Sequence, residues 1–342
     1  MAGVSAGTVD RVLHNRGRVS EESLKKVKKA LKKIDYHPNL IARSLASKKV
    51  CRIMTIIPSF ASGEYWSEVS KGINKAEREF ANYHLNVEGR YFNQYDKSSF
   101  DAIVEELKQE NYQGVVIATL FEDSTFNFTK LLDSKKIPYI LIDAYIENTN
   151  CVAYYGTDSY RSGYIGGKLL FDKIKNNDNI LLFNIISKGS IDSTQVSMRE
   201  KGFRDFLSET SYEGNIYPVS ISAETPEINK KILDMHMERS DNERPHAGII
   251  FNSRVHIPSE YFITNKVNDF FLIGYDAIEA NVNYLKSGIV SYLIAQRPEV
   301  QGYNSIKALF HHLSMHTSVT KMNYMPIDIL IDSNIEYYNN YI

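Results

Sequence analysis

The sequence predicts an α/β protein, with a small all-α headpiece followed by two doubly wound parallel-sheet subdomains. Three observations carry this. From Cys51 onward, short apolar runs alternate with amphipathic stretches, the grammar of repeated βαβ units with helices on both faces of a parallel sheet. The first 49 residues have no such runs and hold helix-start signals instead. The remaining 293 residues exceed the usual extent of one sheet and its core, so two sheets are expected.

In the headpiece, Ser5 can cap a helix running to about Asn15, with Val9, Val12 and Leu13 facing inward. Residues 15–17 then make a turn. Ser20 caps a second helix, Glu21 and Glu22 sit at its positive end, and Val19 with Leu24 has the spacing of a hydrophobic staple. Leu24, Val27, Leu31 and Ile34 form its apolar stripe, and six lysines (Lys25, Lys26, Lys28, Lys29, Lys32 and Lys33) cover the rest. Pro38 stops it. NLIARSLA, residues 39–46, is helix-compatible but short enough to need a partner for order.

Beyond the headpiece, CRIMTII, LNVEGRYF, GVVIATLF, IPYILID, NILLFNII, GNIYPVSI, AGIIFN, FFLIGYD, GIVSYLIA and MPIDILI read as strands, mostly buried. No low-complexity linker divides them, so several short crossovers are expected between the two sheets. In such sheets ligands bind beyond the carboxyl ends of the strands, which places a site in the cleft between the subdomains.

Charge narrows the partners. Residues 1–49 hold twelve Lys/Arg against four acids, a net of +8, whereas the rest of the chain carries 28 basic and 37 acidic groups, a net of −9. A basic module on an acidic body suits a polyanion bound at one end, since lysine and arginine gain affinity by displacing counterions from phosphates. The same charge is also compatible with a merely solvated lysine-rich helix. Cys51 and Cys151 form no CxxC, so neither a disulfide framework nor a zinc site is indicated, and a reducing cytoplasm fits. No apolar run approaches the roughly 18 residues that span a bilayer. GYIGGK lacks the spacing of a phosphate-cradling loop, and HHLSMH has metal-like spacing at His312 and His316 but no HExxH glutamate. No enzyme signature, metal or cofactor is expected.

GVSAGTVDRVLHNRGRVSEESLKKVKKALKKIDYHPNLIARSLA resembles, in register, the headpiece of the LacI/GalR family of bacterial repressors. GTDSYRSG, SMREKGF, IGYD and AQRPEVQGY extend the resemblance to that family's core, which has the fold of type I periplasmic sugar-binding proteins. The resemblance implies a helix-turn-helix headpiece with hinge helix at 1–49 and a ligand-binding core at 50–342. In that core the N-subdomain takes about 50–157 and 295–324, and the C-subdomain about 158–294 and 325–342. It also implies a cytoplasmic, homodimeric, ligand-controlled repressor of carbohydrate-utilisation genes on pseudo-palindromic double-stranded operator DNA.

On that resemblance Arg11 is the base-reading arginine, able to bond guanine O6 and N7, though a phosphate or surface contact is open to it as well. Ala6 and Gly7 match the operator-discriminating pair, Ser5 and Thr8 match phosphate-contacting positions, and Asn15 and Ala42 are further DNA-binding positions. Asp10 departs from the usual serine and puts a carboxylate near phosphates. Leu45 matches a leucine wedged into a base step while NLIARSLA folds on DNA; without the resemblance it reads equally as a packed linker leucine. Because Met1 stands where a preceding helix would end, this chain is expected to bind operator poorly, and a version extended by about ten residues to bind it well. The alternative is a sugar-binding sensor without effective DNA binding.

For the cleft, the resemblance implies a sugar or sugar derivative held by Phe60, Tyr65, Trp66, Asp143, Arg199, Asn252, Asp276 and Gln296. Aromatic faces suit C–H surfaces, and planar polar groups suit hydroxyl pairs. Ser59 lies in the same loop, and Trp66, the single tryptophan, could equally be a helix-packing residue. Ala144 follows Asp143 where the sugar-binding branch often has arginine, so the expected acid–arginine pair is absent and the identity of the sugar stays open.

Overall fold

The computed structural model describes residues 2–13, 17, 19–34, 50–186, 193–240 and 243–341. The chain divides into two compact units, Met1–Lys49 and Val50–Ile342.

In the first unit, α1 (Ala6–Leu13) and α2 (Glu21–Lys33) pack together. Each is capped as a serine caps a helix: the Thr8 N–H donates to Ser5 Oγ at 3.2 Å, and the Ser23 N–H to Ser20 Oγ at 3.3 Å. Val27 is fully buried and the six lysines of α2 are exposed, the division that its apolar stripe requires. Asn15, Ala42, Leu45 and the whole of NLIARSLA lie outside the described residues.

The second unit follows one pattern twice. Its first half runs β1 (Cys51–Pro58), α3 (Tyr65–Phe80), β2 (Leu85–Phe92), α4 (Lys97–Leu107), β3 (Gly114–Ala118), α5 (Glu122–Lys135), β4 (Tyr139–Asp143) and β5 (Ala153–Gly156). Its second half runs α6 (Ser159–Phe171), β6 (Asn179–Ile185), α7 (Thr194–Glu209), β7 (Ile216–Ile221), α8 (Pro226–Met237), β8 (Pro245–Ile250), α9 (His256–Thr264), β9 (Phe271–Tyr275), α10 (Glu279–Lys286) and β10 (Tyr292–Ala295). Then α11 (Pro298–Met315) packs back on the first half, and β11 (Met322–Tyr324) and β12 (Asp328–Leu330) close one sheet each.

The sheets have the orders β11-β5-β4-β3-β1-β2 and β12-β10-β9-β8-β6-β7, the same doubly wound order in each. All pairings are parallel except β10 with β12, an antiparallel strand added at an edge. The central strands are buried on both faces, which explains their unbroken apolar runs. The chain passes between the sheets at 156–159, 295–298 and 324–328.

Two helix pairs fix the layers above the sheets. On α6, a Cβ added to Gly163 would lie 1.8 Å from the Arg199 carbonyl oxygen; on α7, one added to Gly202 would lie 2.0 Å from that of Tyr160. Gly72 on α3 and Gly302 on α11 make the equivalent approach in the first half. The backbones therefore touch, and only hydrogen at those α-carbons permits it. Among the described residues no helix is long and apolar enough to cross a membrane.

Candidate functional site

Both sheets end, at their carboxyl edges, on one cavity of about 330 Å³. The loop after β1 and the start of α3 bring Glu64, Tyr65 and Trp66 to it, the loop after β2 brings Tyr95, and β4 ends on Asp143. From the second half come Phe183 on β6, Gln195 and Arg199 on α7, residues 251–254 after β8, His256 on α9, Asp276 after β9 and Gln296 after β10. This is where doubly wound sheets place ligands, because the loops leave the strands on opposite sides there.

Among the described residues Arg199 is the most deeply buried charged side chain, at 1% exposure. Its Nη1 donates to the Phe251 carbonyl at 2.7 Å, its guanidinium lies 4.1 Å from the Tyr275 ring centroid, and its Nε has no hydrogen-bond partner among the described residues. Stacking and one backbone bond thus orient the group, and its Nε is left as a buried donor with no partner among the described residues.

Asp143 and Asp276 line the same cavity and are buried too, at 4% exposure each. Gln195 Nε2 donates to Asp143 Oδ1 at 2.6 Å, and Gln296 Nε2 donates to Asp276 Oδ1 at 3.0 Å. Gln296 Oε1 accepts from Thr157 Oγ1 at 2.6 Å. Burial pushes the Asp143 carboxyl up to about 7 and the Asp276 carboxyl up to about 6, and Arg199 opposes both shifts without cancelling them. Burial also raises the Tyr65 phenol well above its ordinary value and keeps His256 below its own, so neither adds a charge at neutral pH. Tyr65 and Trp66 meet edge to face, with centroids 5.1 Å apart. The result is a concave site with two acceptor carboxylates, one guanidinium, several amides and aromatic walls, which suits a small polyhydroxylated molecule.

Of the eight ligand positions expected from sequence, Tyr65, Trp66, Asp143, Arg199, Asn252, Asp276 and Gln296 line this cavity. Phe60 is not among its lining residues; its ring packs edge to face on Tyr91, with centroids 5.7 Å apart. Gln195 was not singled out in the sequence, although it stands one helical turn before Arg199 and so shares its face of α7. Tyr275 was missed as well, being read only as the end of an apolar strand.

On α1, Ala6, Gly7, Asp10 and Arg11 are exposed and, at their spacing, lie on one face of the helix; Ser5 is exposed just before it and Thr8 is half-buried. Ser5 Oγ and Thr8 Oγ1 are 2.9 Å apart, so a hydrogen bond beside the cap joins the two expected phosphate-contacting hydroxyls.

Comparison with known proteins adds the family. Residues 53–316 match the periplasmic binding protein domain, and residues 1–39 match the bacterial regulatory proteins of the lacI family. The HTH-type transcriptional regulator MalR of Streptococcus pneumoniae is 28% identical over 189 residues, covering 50% of this chain and 56% of the relative. The ribose operon repressor of Lactococcus lactis is 24% identical over 286 residues, covering 81% and 79%. The chain spans about half the length of the first curated relatives it matches. A solved chain from Bacteroides fragilis described as a LacI transcriptional regulator superposes with a TM-score of 0.80 at 37% identity, over 85% of this chain and 100% of that one. With its core matched by the periplasmic binding protein domain and a LacI relative aligned over that relative's full length, the chain belongs to the lacI family of bacterial regulatory proteins.

Proposed function

We propose that the protein is an effector-responsive transcriptional regulator, a repressor of carbohydrate-utilisation genes that binds operator DNA through its headpiece and a sugar or sugar derivative in the core cavity. The observation that carries the reading is Arg199, a buried guanidinium with an unsatisfied Nε that shares one cavity with two buried acids at the joint carboxyl edge of both sheets. Hydroxyl groups donate and accept at once, so one diol can satisfy Arg199 and the acids together. The ribose operon repressor, by its name, supports regulation of a sugar operon, and MalR, by its own, supports transcriptional regulation.

In this reading Tyr65 and Trp66 cover an apolar face of the ligand, while Asp143, Arg199, Asn252, Asp276 and Gln296 hold its hydroxyls. Arg11 reads a base, Ser5, Thr8 and Asn15 contact phosphates or neighbouring groups, Ala6, Gly7 and Asp10 set the operator preference, and Ala42 with Leu45 enters the minor groove. The protein acts in the cytoplasm as a homodimer on a two-fold operator, and the reading assigns no catalytic step. Ligand changes the relation of the two subdomains and with it operator affinity.

Two measurements test this. Selection from a random double-stranded pool at low salt, made with a headpiece extended at its N-terminus by about ten residues, is expected to enrich pseudo-palindromic sites, with affinity falling as salt rises. A thermal-shift screen of neutral sugars, polyols, sugar acids and purines is expected to give at least one sugar that raises the melting temperature and changes affinity for the enriched DNA. No enriched site, or a sugar shift without any effect on DNA, would overturn the repressor assignment.

A further inference from the structure

Asp143 and Asp276 differ in who satisfies them. The amide on Asp276 comes from Gln296, which follows β10 of the same sheet. The amide on Asp143 comes from Gln195, on α7 of the opposite half, and no arginine follows Asp143 to take its place because residue 144 is a buried alanine. Gln195 is itself 8% exposed and lies 3.4 Å from Gln296 Oε1, so its amide stands between the two halves of the acid network. Two further contacts bridge the same cleft: Thr194 Oγ1 donates to Glu122 Oε2 at 3.0 Å, and the Arg254 guanidinium lies 5.3 Å from the Tyr95 ring centroid.

We propose that Gln195 is the residue that couples effector capture to closure of the cleft, by pairing with the Asp143 carboxylate across it. Separating the halves leaves Asp276 with its partner and strips Asp143 of its own, and a buried carboxylate without a hydrogen bond is costly. Closure therefore gains most when Asp143 is engaged at the same moment by Gln195 and by a ligand hydroxyl. A ligand without a hydroxyl at that corner binds without drawing the halves together. Gln195 is in this sense a specificity-determining residue of the effector site, and the inference rests on the effector reading above.

Trp66 is the single tryptophan and lines the cleft at 7% exposure, so acrylamide quenching of its fluorescence reports opening with no ligand needed. Gln195→Leu keeps the bulk and removes the amide; its quenching constant is expected to rise about twofold or more over wild type. Gln195→Glu sets a carboxyl against Asp143, which is also faced by Arg199 from α7, Asp276 beyond β9, Tyr65 on α3 and Tyr154 on β5. That variant is expected to quench strongly at about pH 8, where both carboxylates repel, and to return towards wild type at about pH 5.5, where a shared proton restores the bond. A merely space-filling role would not give this pH dependence. If Gln195→Leu does not fold, the acid-rescued Gln195→Glu decides the matter, its native near-ultraviolet circular dichroism at about pH 5.5 showing that it is folded. Quenching like wild type in both variants, at both pH values, overturns the proposal. The two readings fail separately: no sugar shifting the wild-type melt, with quenching as expected here, sinks the effector and leaves the bridge, whereas sugar binding with unchanged quenching does the reverse.

Discussion

Asp143 and Asp276 occupy equivalent corners of the two sheets, one ending β4 and the other following β9, and both adopt left-handed backbone, at φ 84° and 65°. Each also gives one carboxylate oxygen to a glutamine amide. A non-glycine residue in this region is uncommon and strained, and it persists only where its surroundings over-determine it. Here they do: the Asp276 N–H donates to the Ile294 carbonyl at 2.9 Å and its carbonyl accepts from Asn281 Nδ2 at 3.0 Å, while the Asp143 carbonyl accepts from the Tyr154 hydroxyl at 3.0 Å. The turn aims each carboxylate into the cavity, where solvation is poor.

That poor solvation sets a pH dependence. Asp143 holds its proton up to about 7 in the fold, whereas an unfolded chain releases it near 4. The folded state therefore binds more protons across that window, and this contribution to stability is full in acid and lost as pH rises through about 7. Asp143→Asn keeps the acceptor for Gln195 and removes the ionisation. It is expected to melt above wild type at about pH 8, by about 2–4 °C, and level with it at about pH 4.5. A lower melting temperature than wild type at the alkaline value would contradict this.

Arg199 is expected to be irreplaceable by lysine. An ammonium can make the Phe251 carbonyl bond but cannot also lay a planar guanidinium over the Tyr275 ring and hold several N–H donors in one plane. Arg199→Lys and Arg199→Met should both weaken the sugar found by thermal shift by about 100-fold or more, the loss expected when charge-assisted hydrogen bonds go. Calorimetric titration checks this, and a lysine variant within about threefold of wild type would refute it.

The frame of the protein was legible because its signals are long. Strands of five to eight residues buried on both faces, such as Cys51–Pro58, write unbroken apolar runs, and Ser5 and Ser20 announce the two headpiece helices. The strands that escaped are Ala153–Gly156 and Met322–Tyr324, four and three residues with tyrosines in place of an aliphatic run. The antiparallel setting of Asp328–Leu330 follows from a crossover that no local pattern encodes. Arg199 and the acids were found through the family pattern. Gln195 departs from what that pattern draws attention to, and only the meeting of α7 with β4 shows its amide on Asp143. Phe60 shows the converse, since an aromatic in the right loop packs on Tyr91 and the core of the first half and does not line the cavity.

Gly163 makes a sharp packing test. The 1.8 Å approach of an added Cβ to the Arg199 carbonyl is a clash with backbone, so α7 must move or the helix pair must part. Gly163→Ala should cost about 2–3 kcal/mol, at the upper end of overpacking effects, despite alanine's better helix propensity. Because the displaced backbone belongs to Arg199, sugar affinity should fall along with the melting temperature. A variant as stable as wild type would mean that the two helices are not held in this contact.

Arg297 carries the last prediction, at the crossover where the chain leaves β10 for α11. Its φ is 53°, its Nε and Nη2 hold both oxygens of Asp328 at 2.7 and 3.2 Å, and its N–H donates to the Tyr338 hydroxyl at 3.1 Å. Asp328 in turn pairs with Ala295 across the antiparallel edge, so one ion pair ties two of the three crossovers together. The conformation and the pair can be separated by substitution. Arg297→Gly loses the pair and keeps easy access to left-handed backbone, whereas Arg297→Ala loses both, at a further cost of about 1 kcal/mol. The partners are only partly shielded, with side chains 22% and 23% exposed, so the pair itself should contribute modestly. Melting temperatures should therefore fall in the order wild type, Arg297→Gly, Arg297→Ala, with the last step about 1–3 °C. Equal melting of the two variants would show that the left-handed turn is relaxed without the arginine, and the crossover would then be a softer hinge than its geometry implies.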